Sequence, residues 1–145
     1  MEKYGTLHIF TDGGARGNPG PAGIGAVLVD EKGKKVEEIA RYIGEATNNV
    51  AEYLAVIYGL QEALYKNAGS VVLNLDSQLV ARQLKGEYRV KNRDLRKFFD
   101  LVLNLFRGFD KVEIKEIPRE GNMQADSLVN RAINFERVSG LKRAG

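Results

Sequence analysis

Four acidic residues, Asp12, Glu52, Asp76 and Asp126, stand where a carboxylate can do more than solvate a surface. Asp12 directly follows the apolar run LHIFT, and Asp76 directly follows VVLNL. Glu52 lies three residues after Asn49 at the start of one helical period, and Asp126 lies just after Asn122 at the start of another. Singly, each has an ordinary explanation. Asp12 suits an Asx turn opening TDGG. Asn49 and Glu52 are spaced as a capping box. Asp76 or Ser77 can cap the helix that follows, and Asp126 faces the positive end of a helix dipole. Together they are harder to dismiss, because strand ends and helix starts are the places that an α/β sheet gathers around its open edge.

Convergence of the four would make a strong electrostatic demand. Two like charges about 4 Å apart repel by roughly 4 kcal/mol at an effective dielectric of 20, so four carboxylates cannot all stay ionised without counter-charge. Divalent cations supply it. Oxygen ligands with no cysteine and no nearby histidine suit Mg2+ or Mn2+ rather than zinc. Paired Mg2+ ions are a standard means of stabilising the attacking and leaving oxygens of phosphodiester hydrolysis. The single histidine, His8, lies four residues before Asp12 on the same strand, hence about 13 Å away and too far to share a metal; it reads as structural. Asp30, Asp94, Asp100 and Asp110 fall in turns or on helix surfaces and need no special role.

The elements that must position these groups follow from periodicity. The glycine-rich stretch after Asp12 fits neither nucleotide-binding fingerprint: its glycines never give G-x-G-x-x-G leading into a helix, and no G-x-x-x-x-G-K-[ST] occurs. It leads instead into IGAVLVD, so residues 9–30 predict strand, glycine and proline turn, strand, with Asp12 near the open end of the hairpin. LHIFT at 7–11, IGAVLV at 24–29 and KVEEIARYIG at 35–44 predict a three-strand meander. Val50, Leu54, Ile57, Leu60 and Leu64 then recur at helical steps. A buried strand is expected at 71–75, helices at 77–85 and 92–109, an alternating strand at 111–117 and a last helix at 122–133; the tail FERVSGLKRAG carries no strong pattern. The sum is a mixed sheet with helices on its faces.

The 145 residues, 43% hydrophobic, make one domain of ordinary size. A formal net charge of +3 is compatible with a polyanionic partner without establishing one. With no cysteine, disulfides, thiolate metal sites and cysteine nucleophiles are excluded. No leader pattern precedes the first strand, and no apolar run approaches the ~20 residues of a membrane span, so a cytoplasmic protein without membrane attachment is expected.

TDGGARGNPGPAGIG, TNNVAEYLAVIYGLQEAL, LDSQLV and GNMQADSLVNRA, in that order, resemble ribonuclease H of type 1 from about Leu7 to Ile133. The resemblance implies the ribonuclease H-like fold, an α/β architecture with a five-stranded mixed sheet whose meander pairs through its first strand to the fourth. It implies a catalytic domain over residues 1–134 with a C-terminal tail at 135–145. It implies hydrolysis of the RNA strand of RNA/DNA hybrids with two Mg2+ ions, Mn2+ being a possible substitute, and release of 3′-hydroxyl and 5′-phosphate ends by a monomer. Asp12, Glu52, Asp76 and Asp126 are then the metal ligands. The family's groove maps onto backbone around Gly13, Gly14, Ala15 and Arg16, with Asn18, Asn48, Asn49 and Gln78 as polar donors and acceptors that read ribose rather than base. Thr47 and Asn92 match the family's pocket for a DNA-strand phosphate.

Two departures stand out. Many members carry a mobile histidine ahead of the last aspartate, whereas IPREGNMQAD places Arg119 in roughly that position. Arginine is no general base, but it can bind the scissile phosphate or assist product departure. Some members also insert a basic, aromatic-rich protrusion where KGEYRVKNRDLRK here links two helices directly, leaving Lys85, Arg89, Lys91, Arg93 and Arg96 as the local positive charge. Two rivals stay open at this level: a metal nuclease of the same fold acting on another substrate, as integrases and junction nucleases do, and a binding module without catalysis. The local motifs argue against the first, and the presence of all four carboxylates argues against the second.

Overall fold

The computed structural model describes the backbone of residues 4–144 and the side chains of residues 4–136. Strands β1 (Thr6–Ala15), β2 (Gly20–Val29) and β3 (Lys35–Ala46) form an antiparallel meander. After helix α1 (Asn48–Tyr65) the chain returns as β4 (Ser70–Leu75), parallel to β1, and after α2 (Gln78–Leu84) and α3 (Arg93–Phe106) as β5 (Lys111–Glu116), parallel to β4. A 3-10 turn at Arg119–Asn122 leads into α4 (Met123–Ala144). The sheet order is β3-β2-β1-β4-β5, the mixed sheet expected from the sequence.

The main core lies between the sheet and α1. Leu7, Ile9, Leu73 and Leu75 from the strands meet Val56, Leu60 and Ala63 of α1, and α2 and α3 add Val80, Leu84, Leu95 and Val102. The opposite face is covered by α4, whose Leu128, Val129 and Ile133 are buried against the meander. Glycine sets the closeness of both layers. A Cβ on Gly13 would lie 2.2 Å from the backbone of Ala51 in α1, and one on Gly25 would lie 2.3 Å from the Ala125 carbonyl in α4. The helices therefore ride on bare backbone, nearer the sheet than any side chain would allow.

Three boundaries differ from the sequence expectation. The glycine-rich segment is mostly strand, since β1 runs on to Ala15 and β2 begins at Gly20, leaving only residues 16–19 as the turn. Asp12 consequently sits inside the ladder, opposite Gly25, toward the closed end of the hairpin and not its open end. Close packing on both faces makes extended glycine backbone favourable here, where local propensity reads it as turn. The third helix stops at Phe106, ahead of Gly108. The fourth runs past 133 to Ala144, taking in most of the tail, of which side chains beyond 136 lie outside the described residues.

Candidate active site

Strand register brings the first two carboxylates together. The last parallel pair of β1 and β4 is Thr11 with Leu75, so Asp12 and Asp76 are the next residues after it, side by side where the two chains stop pairing. Ser77, not Asp76, caps α2: its Oγ accepts from the Val80 N–H at 3.2 Å. Asp76 is thereby left free of capping, and its Oδ2 accepts from Asn122 Nδ2 at 2.9 Å.

Glu52 arrives from α1. The capping-box expectation fails, because Thr47 is the N-cap, its Oγ accepting from Val50 N–H. Glu52 instead turns into the protein, where the Gly13 N–H donates both to its Oε1 at 3.2 Å and to Asp12 Oδ1 at 3.0 Å. The absence of a Cβ at Gly13 is what lets this turn of α1 come so close. One carboxylate oxygen from each of Asp12, Glu52 and Asp76 then lies within 4.8 Å of the others. Asp126, exposed in the first turn of α4, lines the same cleft just outside that tight group.

Burial makes the group electrostatically uncomfortable. Glu52 is 7% exposed and Asp12 9% exposed. Loss of hydration pushes the Asp12 carboxyl up to about 7; the hydrogen bond with Glu52 opposes this, and the charges of Asp76 and Asp126 add to it. Burial also drives Glu52 well above the usual carboxylate range, aided by Asp12 beside it. Without counter-charge, both shifts favour the protonated forms. Glu52 Oε2 is moreover buried with no hydrogen-bond partner among the described residues, which is costly for a carboxylate oxygen. Clustered oxygen donors, an orphaned acceptor and excess negative charge together fit a hard divalent cation.

These groups line an open cleft of about 390 Å³. Among the residues singled out from sequence, Gly13, Gly14, Ala15, Arg16, Asn48, Asn49 and Arg119 share it with the four carboxylates. Arg119 is exposed and makes no ion pair among the described residues. Asn18 and Asn48 fasten the hairpin to α1: Asn18 Oδ1 accepts from Asn48 N–H at 3.0 Å, and Asn48 Oδ1 accepts from Ala15 N–H at 2.8 Å. Arg16 donates to Asn134 and Asn130 of α4. Asn18, Thr47, Gln78 and Asn92 are not brought into the cleft wall. Thr47 and Asn92 are helix caps, and Gln78 opens α2 on the exposed surface. His8 is half-buried mid-strand between Val29 and Val72.

Sequence reasoning passed over Asn122. It is 1% exposed, and its amide joins Asp76 to the Thr11 carbonyl. The only signal was an asparagine one turn ahead of Asp126, which reads equally well as a helix cap.

The family model described as "Reverse transcriptase-like" matches residues 10–132. Ribonuclease HI of Halobacterium salinarum is 42% identical over 133 residues, covering 92% of this chain and 67% of that protein. The crystal structure of RNase H1 from that archaeon superposes with a TM-score of 0.89, covering 90% of this chain and 99% of that one. LC11-RNase H1, crystallised in complex with an RNA/DNA hybrid, gives a TM-score of 0.86 at 44% identity, covering 90% of this chain and 98% of that one. The bifunctional protein Rv2228c of Mycobacterium tuberculosis is 41% identical over 127 residues; they cover 87% of this chain and only 35% of that protein, so the chain spans about a third of that relative's length. An extended match in sequence and a shared sheet order lead to one conclusion: the chain belongs to the ribonuclease H family, type 1, and with it to the endoribonucleases.

Proposed function

We propose that this chain hydrolyses the RNA strand of RNA/DNA hybrids, with Asp12, Glu52, Asp76 and Asp126 holding two Mg2+ ions, or Mn2+ in their place. The observation that carries the reading is the trio of carboxylate oxygens within 4.8 Å, drawn from three separate elements and including a buried glutamate with an unpartnered oxygen. When bound, the ions supply Lewis acidity for activating the attacking water and for stabilising the departing 3′-oxygen, consistent with 3′-hydroxyl and 5′-phosphate products. The chain's own part is to hold the carboxylates in place; burial raises both Asp12 and Glu52, and counter-charge favours their ionised forms.

The same cleft suits a ribose-bearing strand. With its carbonyl oxygen already occupied, Asn48 keeps its NH2 as a donor for sugar oxygens beside Asn49 on the cleft wall, and Asn18, bonded to Asn48 outside that wall, keeps its own. Arg119, exposed at the rim, offers charge-assisted hydrogen bonds to the scissile phosphate. Thr47 Oγ accepts as a cap yet keeps its proton to donate, and Asn92 keeps its NH2, so both caps can still hold a phosphate of the DNA strand. Lys85, Arg89, Lys91 and Arg93, all exposed near Asn92, add attraction for the backbone. The catalytic unit is residues 1–134, acting as a monomer, and the end of α4 is an extension of it. Relatedness to an enzyme crystallised with an RNA/DNA hybrid supports this substrate.

The test is direct. Purified protein is incubated with labelled RNA/DNA, RNA/RNA and DNA/DNA duplexes in Mg2+, Mn2+ or chelator. Cleavage confined to the RNA of the hybrid and abolished by chelator is expected; cleavage of DNA/DNA, or none with either metal, would refute the reading.

A further inference from the structure

Asn122 occupies a position that packing alone does not explain. Its Nδ2 donates to the Thr11 carbonyl at 2.8 Å and to Asp76 Oδ2 at 2.9 Å, so one amide nitrogen spends its donors where the parallel pairing of β1 and β4 ends. Its Oδ1 is buried without a hydrogen-bond partner among the described residues. A leucine of similar size would avoid that orphaned acceptor, so an asparagine retained here points to a task for its two donors. The residue closes the 3-10 turn and directly precedes α4, with Asp126 one helical turn further on.

Resting on the proposed function, we propose that Asn122 is a positioning residue for the cation site. It ties one oxygen of Asp76 to the protein and leaves the other for the ion. It also pins the start of α4, and with it Asp126, to the backbone beside Asp12 and to Asp76 itself. An amide suits this because two donors diverge from a single nitrogen; aspartate has none when ionised, and serine has one. Close packing of α4 on Gly25 holds the same helix start from the other side, so the pin works against a fixed support.

Partners that orient metal ligands typically change metal affinity about 10–100-fold when removed. Two variants test this, Asn122→Leu, close in size and without donors, and Asn122→Ser, which keeps one. Mn2+ binding to the substrate-free protein is measured by calorimetry, and the Mg2+ concentration for half-maximal cleavage of an RNA/DNA hybrid is measured alongside. Asn122→Leu should weaken both about 10–100-fold and Asn122→Ser less, with the maximal rate partly recovered at high Mg2+. Circular dichroism in chelator identifies the folded variants. A folded variant with both values within about twofold of wild type overturns the proposal.

A measurement on the unaltered protein guards against variants that fail to fold. By NMR, the Asn122 side-chain amide protons should exchange slowly and shift on addition of Mg2+; signals unmoved at saturating Mg2+ overturn the proposal. Wild-type protein that neither binds Mn2+ nor cleaves the hybrid would instead sink the proposed function, a result distinct from an active wild type with indifferent variants.

Discussion

At the scale of single residues, the site is a set of carboxylates held in a form they resist. Asp12 is pushed up to about 7, and Glu52 is raised as well. An acid whose folded value lies above its unfolded one favours the fold most when protonated; that contribution is complete below about pH 4 and is lost as pH rises through about 7. The metal-free protein should therefore melt at a higher temperature at pH 5.5 than at pH 8, and saturating Mg2+ should flatten the difference. Asp12→Asn removes one of the buried charges. It should abolish cleavage, by at least about 100-fold, while raising the melting temperature in chelator at pH 8 and shrinking the pH slope. Thermal melts with and without chelator, beside a cleavage assay, check both halves. An active Asp12→Asn enzyme would remove Asp12 from the ligand set.

Arg119 is open to solvent at the edge of the same cleft. Acting by charge and hydrogen bonding alone, its loss should lower turnover, on the order of tenfold, with hybrid affinity nearly unchanged, because one phosphate contact among many adds little to binding. Arg119→Lys should rescue part of the rate through retained charge without bidentate geometry. Turnover and affinity across pH for wild type, Arg119→Ala and Arg119→Lys decide the matter, and an alanine variant equal to wild type throughout would return Arg119 to the solvated surface.

At the scale of elements, adjacent glycines have different duties. A Cβ at Gly13 would strike the α1 backbone, whereas one at Gly14 would meet only Val129 Cγ1 at 3.7 Å, an ordinary contact. Gly13→Ala should destabilise by roughly 3 kcal/mol or more, since neither backbone can move aside cheaply, and Gly14→Ala by less than about 1 kcal/mol. Equal losses in urea melts would show that the close approach is not what glycine serves at position 13. This pair also marks what the sequence could and could not reveal. Alternation and helical periodicity reported the elements correctly, because the burial of Leu7, Ile9, Val56 and Leu60 leaves a periodic trace. The extended run from Asp12 to Ala15 was hidden, since its support is the backbone of α1 and the surface of α4, contacts without a local signature. Among site residues, Asp76 was legible from a strand end, whereas Asp12, read the same way, lies inside β1 and marks only where its parallel pairing with β4 stops. Glu52 was ambiguous until Thr47 proved to be the cap, and Asn122 was illegible because its partners lie 111 and 46 residues away.

At the scale of the whole molecule, the open cleft lined by the carboxylates and by Asn48 and Asn49 is, on the proposed reading, suited to follow a sugar-phosphate strand without consulting its bases. Replacing the ribose 2′-hydroxyls around the cut by hydrogen should slow cleavage far more than any change of base sequence, which kinetic assays on chimeric hybrids can compare. Strong sequence preference with indifference to the 2′-hydroxyls would point to the integrase-like alternative.

The order in which the site's parts occur along the chain has its own consequence. During synthesis, β1 through β4 and α1 emerge first, bringing Asp12, Glu52 and Asp76, while Asn122 and Asp126 come only with α4. A nascent or truncated chain that ends with β5 thus carries all five strands and still lacks the residues that complete the site on the proposed reading. On that reading the enzyme stays disarmed beside the ribosome that makes it until α4 settles onto the bare backbone of Gly25.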